Sequence, residues 1–380
     1  MQKLLYIIGL IVFLCSCDKN ISEFQTNNFI KFFGNGNGSF GHDSFELPDE
    51  GYIITGHDAT LQFRRQVLVI RTDRSGNTLW KKLYGTEHNE EGCVVRISDN
   101  EIFIAGNKTN FITGKTEAFI MKLNLEGDSL AYYPVSQNHN TIIHDMVIEN
   151  ERVYIAGEKY ESSPDFSKYF VVCLNQSGEI IWQRATGSYN GRQAYRKIFV
   201  KENGRILLTG TTNELIGSDL THISIAELNS SGMPLGVVHL DTSTDQEFGD
   251  AYFYNNSLYV LHSAVQAGLT RTSITLLNPD NTIKWQSESG IPGKGTSMHI
   301  IDENKIVVTT ENNEEVIFNS LTVSGGGNLE ITELKKFPGS VRSLITTGDS
   351  GILATGSTSP VYGTMVRLIK TDAELYLLKP

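Results

Sequence analysis

The chain holds 380 residues, with 32 Lys and Arg against 43 Asp and Glu, a net charge of −11 and 39% hydrophobic residues. That balance argues against nucleic-acid partners and against electrostatic docking on anionic lipid, both of which call for basic patches. Past the first sixteen residues, no apolar run approaches the roughly 18 residues that a membrane-spanning helix needs.

Lys3 and the apolar run 4–14 have the shape of an export leader, a positive start followed by a hydrophobic stretch too short to span a bilayer. The run ends in Leu14-Cys15-Ser16-Cys17, which resembles the lipobox of bacterial lipoproteins. The resemblance implies a signal peptide over 1–16 and lipidation of Cys17 as the new N-terminus. It further implies a bacterial cell-envelope protein held by its lipid at a bilayer, the outer membrane, on the periplasmic or the cell-surface side. Residues 17–28 carry no core-forming pattern and read as a tether. Cys93 and Cys173 sit in apolar stretches of different repeats and read as unpaired core thiols.

A unit of about fifty residues then recurs seven times. Each copy carries an apolar run, at 52–56, 102–106, 153–157, 206–210, 258–262, 306–310 and 352–356, that usually closes on Gly. Such a period, made of short strands and tight turns, marks propeller blades. In the first copy, strand 52–56 leads through a polar loop to strand 67–71, a turn at 73–77 and a half-polar outer strand at 78–85. The next copy opens with a strand at 92–97 that turns at 98–100 into 102–106. Third strands recur at 118–123, 169–174, 222–228, 273–277, 316–321 and 365–369. Outer strands recur at 128–135, 179–186, 235–240, 282–289, 328–337 and 375–378. The expectation is an all-β chain, a seven-bladed β-propeller of four-stranded antiparallel blades over 29–380. The blades fall at 35–85, 86–135, 136–187, 188–241, 242–290, 291–339 and 340–380. Residues 29–33 look like an outer strand with no blade before them, so they are expected to close the ring on the seventh repeat and remove an open sheet edge.

Three repeats share a spacing: Asp73-x-x-Gly76-x-x-x-Trp80, Asn175-x-x-Gly178-x-x-x-Trp182 and Asn278-x-x-Asn281-x-x-x-Trp285. It resembles the tryptophan-docking turn of quinoprotein (PQQ-like) propeller repeats, so the chain resembles PQQ-like or WD40-like propeller lipoproteins. In such repeats the Trp stacks on the neighbouring blade and locks the ring. Quinone-dependent dehydrogenases of that family typically have eight blades and an acidic, aromatic-lined calcium–cofactor site. Here seven units are counted, with no vicinal Cys pair and no obvious acidic calcium cluster, and no cofactor is expected. Non-enzymatic lipoproteins with such repeats, among them the propeller component of the outer-membrane β-barrel assembly machinery, fit the chain better.

Catalytic motifs do not stand out. The nine His are scattered and none has a metal-binding spacing. His139 and His144 read as polar loop residues, and His262, standing where other repeats have Gly, as a structural histidine. Carboxylates cluster in loops at Asp43, Glu46, Asp49 and Glu50, at Glu87, Glu90 and Glu91, and at Glu311, Glu314 and Glu315, where solvated charge is the ordinary reading. No catalytic, cofactor-binding or metal-ligating residue is assigned. Connections from second to third strand and from fourth to first are the longer ones, and in an up-and-down blade they emerge on one face. Candidate ligand-binding residues there are Arg64, Arg65, His88, Tyr160, Tyr189, Arg192 and Arg271, since Arg beside aromatics is enriched at recognition surfaces. The function expected is non-catalytic binding or scaffolding of a protein or glycan through that face. One alternative is an extracytoplasmic enzyme acting on polysaccharide or another envelope substrate, which carboxylates or His converging on the channel mouth would favour. The other is an outer-membrane assembly factor.

Overall fold

The computed structural model describes residues 28–34, 38–59, 64–136, 140–160, 166–187, 191–213, 220–240, 243–287, 290–359 and 363–377. The expected leader, Cys17 and nearly all of the tether lie outside them. The described chain is strand and turn, with one 3-10 turn at Gly325–Gly327. Seven antiparallel sheets follow in order, each four strands wide, and the short strand Ile291–Pro292 joins the fifth. This is the seven-bladed, all-β propeller that the repeat predicts.

The first strand of each blade faces the axis, where these strands pack on one another in turn: Ser39–Glu46, Asn89–Ser98, Asn140–Glu149, Gln193–Val200, Gln246–Tyr254, Lys294–Asp302 and Ser340–Thr346. Second and third strands are buried on both faces, which is why they read as continuous apolar runs. The core is accordingly divided into seven apolar clusters, one at each joint between blades. Tight turns join first to second strands. Asp99 and Asn100, then Asn255 and Asn256, take left-handed backbone as paired residues, the geometry that fits strand twist in a two-residue hairpin. One expected long connection, 263–271, is instead mostly strand: Ser257–Gln266 and Leu269–Leu277 meet at a two-residue turn of Ala267 and Gly268, both at positive φ.

The ring closes with strands from both chain ends. Phe29–Phe33 pairs antiparallel with Met365–Lys370, from Phe29 opposite Lys370 to Phe33 opposite Val366, as the outermost strand of the seventh blade. Residues 375–377, expected within an outer strand at 375–378, form none, because that edge is already occupied; residue 378 lies outside the described residues.

Aromatic rings tie the blades together. Trp80, Trp182 and Trp285 each lie on a turn glycine of the next blade, Gly127, Gly232 and Gly327, where an added Cβ would come within 2.6–2.9 Å of the indole. Trp80 and Trp182 also donate their indole N–H to carbonyls of that blade, Leu125 at 3.0 Å and Ser230 at 3.2 Å. Tyr133 on Gly178 and Phe29 on Gly76 serve the same purpose. The glycine run at 325–327, which reads as a flexible hairpin, is therefore a docking platform for Trp285.

The recurring strand Gly has a more specific task than ending a strand. Strands continue past it, as in Tyr52–Ala59 and Glu101–Thr109. Gly56, Gly106, Gly157, Gly210 and Gly356 each oppose a β-bulge in the inner strand, and a Cβ there would come within 1.8–2.3 Å of an inner-strand carbonyl oxygen. In the fifth and sixth blades His262 and Thr310 hold that place, and glycine appears in the inner strand instead, as Gly249 and Gly295.

Candidate functional site

Every inner strand bulges at the same point and extrudes one residue: His42, Cys93, His144, Arg196, Gly249, Thr296 and Arg342. An extra residue re-aims its side chain without breaking the pairing on either side. The ring they form surrounds the mouth of the central channel on the face that carries the longer connections.

The residue after the bulge builds the axis. Asp43, Asp145 and Asp250, in alternate blades, accept backbone N–H groups of the next blade, Val95 at 3.1 Å, Ile198 at 3.0 Å and Met298 at 2.9 Å. Arg96 bridges Asp43 and Asp145 at 2.7 and 3.2 Å, and Lys197 lies 3.0 Å from Asp250. Burial pushes the Asp145 carboxyl up, against the pull of Lys197 and Arg96. Burial disfavours the charged Lys197 ammonium, but Asp250 and Asp145 outweigh it and hold its pKa above the ordinary lysine value. These alternating charges are matched to one another and hold the inner strands in place.

Above them a cavity of about 700 Å³ opens over the fourth and fifth blades, and five of the bulge residues, His144, Arg196, Gly249, Thr296 and Arg342, are in its wall. Arg192, Lys197, Thr211, Thr221, Asp245, Glu247, Phe248, Ser263 and Thr270 line it too. Its anchor is Glu158, whose carboxylate is 0% exposed. Glu158 accepts from Ser167 Oγ at 3.0 Å, from Arg192 Nε and Nη2 at 3.1 Å each, and from His144 Nε2 at 3.0 Å. Burial opposes its charge, but the bonds from His144 and Arg192 prevail and hold its pKa well below the carboxylate range. His144 is pushed down to about 4 by burial and by the Arg196 guanidinium, so it is neutral at neutral pH. With Nε2–H given to Glu158, the lone pair is on Nδ1, and Arg196 Nη1 lies against the ring, 3.1 Å from Nδ1 and 2.9 Å from Nε2.

The sequence candidates divide. Arg192 and Tyr160 come together, Arg192 donating to the Tyr160 hydroxyl at 3.2 Å beside Glu158. Arg65 pairs instead with Glu91 at 3.3 Å, Arg64 lies 5.8 Å over the Phe111 ring, His88 is 3.8 Å from Glu87, and Arg271 packs on Gly290. Of the described candidates Arg192 alone lines the cavity, and Tyr189 lies outside the described residues. His144 is a strand residue bonded to Glu158, not a loop residue, while His139 lies outside the described residues. His262 is buried against Thr275 Oγ1 at 2.9 Å. Cys173 is buried in the core between the third and fourth blades, whereas Cys93 is a half-buried bulge residue; neither is paired. Sequence reasoning missed Arg196 and Arg342. A signal existed, because every bulge residue precedes the closing anchor of its repeat by thirteen or fourteen positions.

No protein-family model matches the chain, and no curated protein matches it. Solved structures do. Drosophila Plexin A, in complex with Semaphorin 1b, is 8% identical with a TM-score of 0.55 over 90% of this chain and 88% of that one. The β-propeller domain of the Trilobed protease from Pyrococcus furiosus is 12% identical with a TM-score of 0.53, over 91% and 97%. The polysaccharide lyase Uly1 is 9% identical with a TM-score of 0.53, over 94% of both chains. Likeness at these identities shows the propeller fold and leaves function to the site itself.

Proposed function

We propose that this protein is a non-catalytic binding lipoprotein of a bacterial cell envelope, tethered through Cys17 at the outer membrane, that holds an acidic glycan at the channel mouth. The observation that carries the reading is the pair Arg196 and Arg342. Both residues line the cavity, and among the described residues neither is within ion-pair distance of a carboxylate. The acids of the same wall are already engaged: Glu247 is paired with Lys294, and Asp245 accepts the Thr221 N–H at 2.8 Å. A guanidinium fork matches a carboxylate or sulfate ester. Thr211, Thr221 and Thr270 offer hydroxyls to a polyhydroxylated chain. Calorimetry against acidic and neutral polysaccharides tests the reading. An acidic chain should bind, and Arg342→Ala should weaken it by roughly tenfold or more, the worth of a charge-assisted hydrogen bond. Equal affinity for neutral chains, or an unchanged affinity in the variant, would sink it. Mass spectrometry of the N-terminal peptide tests the anchor, since an unmodified Cys17 in the exported protein would remove it.

A second reading, an enzyme acting on polysaccharide, is favoured by the convergence of His144, Glu158 and the arginines on the channel mouth. Against it, burial and the Arg196 guanidinium, which lies against the ring, push His144 down to about 4 and make it a weak base. The length of the bound polysaccharide after incubation separates the two, because shortening that Arg196→Ala abolishes would establish the enzyme.

A further inference from the structure

Outside that cavity, on the first and second blades, three side chains with metal-ligand chemistry meet. One ring nitrogen of His42, one of His57 and a carboxylate oxygen of Glu91 lie within 4.8 Å of one another. They come from three strands, Ser39–Glu46, Tyr52–Ala59 and Asn89–Ser98. We propose that His42, His57 and Glu91 form a divalent transition-metal site, with zinc as its natural fit, beside the channel mouth.

The spacing suits one ion. Donor atoms around a tetrahedral ion bound at about 2.0–2.2 Å stand a little over 3 Å apart, and His57 Nδ1 lies 3.8 Å from Glu91 Oε2. His57 is 8% exposed, and its Nδ1 has no hydrogen-bond partner among the described residues. A buried polar nitrogen left in that state is costly, and a bound cation would satisfy it. His42 is already oriented. Its Nδ1 lies 3.1 Å from the Gly92 carbonyl, a contact that only a protonated nitrogen makes into a bond, so in the neutral ring Nε2 carries the lone pair. Burial depresses the pKa of both rings, with His57 at about 3, and so favours the neutral imidazoles that metals bind. Phe40 stacks on His57 at 4.7 Å and fixes its plane. Two imidazoles and one carboxylate suit zinc and its neighbours over magnesium or calcium, and leave a fourth position for water or a ligand. Arg65, 3.3 Å from Glu91 Oε2 and half exposed, is a competing cation that metal binding must displace.

The test is calorimetric titration of the metal-free full chain with zinc chloride, alongside the visible spectrum of its cobalt complex. One equivalent should bind, cobalt should show the intense bands of a four-coordinate site, and magnesium should not compete. Glu91→Gln, which keeps shape, should weaken zinc by at least the roughly 10–100-fold that losing even an outer-shell partner costs. Arg65→Ala, which removes the competing cation, should tighten it, and the four-coordinate cobalt bands distinguish this site from general surface binding. No zinc uptake by the wild-type chain, or uptake indifferent to both substitutions, would overturn the proposal. If Glu91→Gln does not fold, the cobalt spectrum of the wild-type chain and the Arg65→Ala titration still decide. The site is independent of glycan binding, so either can fail without the other.

Discussion

His144 and His299 illustrate how a propeller axis treats an ionisable group. His144 is enclosed with Glu158 and the Arg196 guanidinium, and His299 is buried beside Tyr252, Asp250 and Thr346. Burial pushes each of them down to about 4. In the unfolded chain both titrate near 6.5. Between about pH 6.5 and 4 the unfolded state therefore binds more protons than the folded one, so stability rises with pH across that window. The contribution is fully present above 6.5 and is lost as the pH falls toward 4. Thermal melts at stepped pH should show a midpoint that is level above 6.5 and then declines. His299→Gln should flatten part of the decline, and an equal slope in that variant would mean that His299 is already charged in the folded protein.

The inner strands carry the site because they bulge, and they bulge where the second strand or the inner strand itself offers glycine. Closure depends on a different strand, Phe29–Phe33. Phe33 is buried against the first and seventh blades, and Phe29 covers Gly76. Without residues 28–34, Met365–Lys370 becomes an open edge of unpaired N–H and C=O groups, a template for another chain. A chain lacking them should unfold at lower denaturant and associate through that edge, which light scattering during size-exclusion chromatography will read. A monomer of unchanged stability would show that the closure contributes nothing.

The seven joints are not equivalent. Five place an aromatic ring on a turn glycine of the next blade. Between the fourth and fifth blades both partners are missing: Gly236, four residues past Gly232 as Trp80 is past Gly76, has nothing within 4 Å of an added Cβ, and the facing turn has Asn281 at φ +65. The cavity opens over this same joint. Fewer buried contacts mean a lower free energy of local opening. Amide exchange should therefore be fastest, among paired strands, in Pro234–His239, the outer strand that faces this joint, and an acidic glycan that spans the joint should slow it. Uniform protection around the ring would contradict this.

The number of blades, the strand order within each and the turn chemistry were legible in the residues because they are local: an apolar run, an Asx-Gly turn and an outer strand recur at a fixed period. The docking role of Trp80, Trp182 and Trp285 is implied by the resemblance of their turns to quinoprotein repeats, and the structure places each ring on the next blade. The channel mouth could not. Which side chain faces the axis depends on a one-residue bulge relative to a partner strand, and a slip of one residue exchanges the two faces of a strand. His144 for that reason reads as a loop residue until its register against Gly157 places it in the wall. Arg196 and Arg342 share one cavity, and His57 meets Glu91, only because separate strands and blades are brought together. Which side chains of different blades share the channel mouth is set by closing the ring, and no pattern within a single fifty-residue unit contains that juxtaposition.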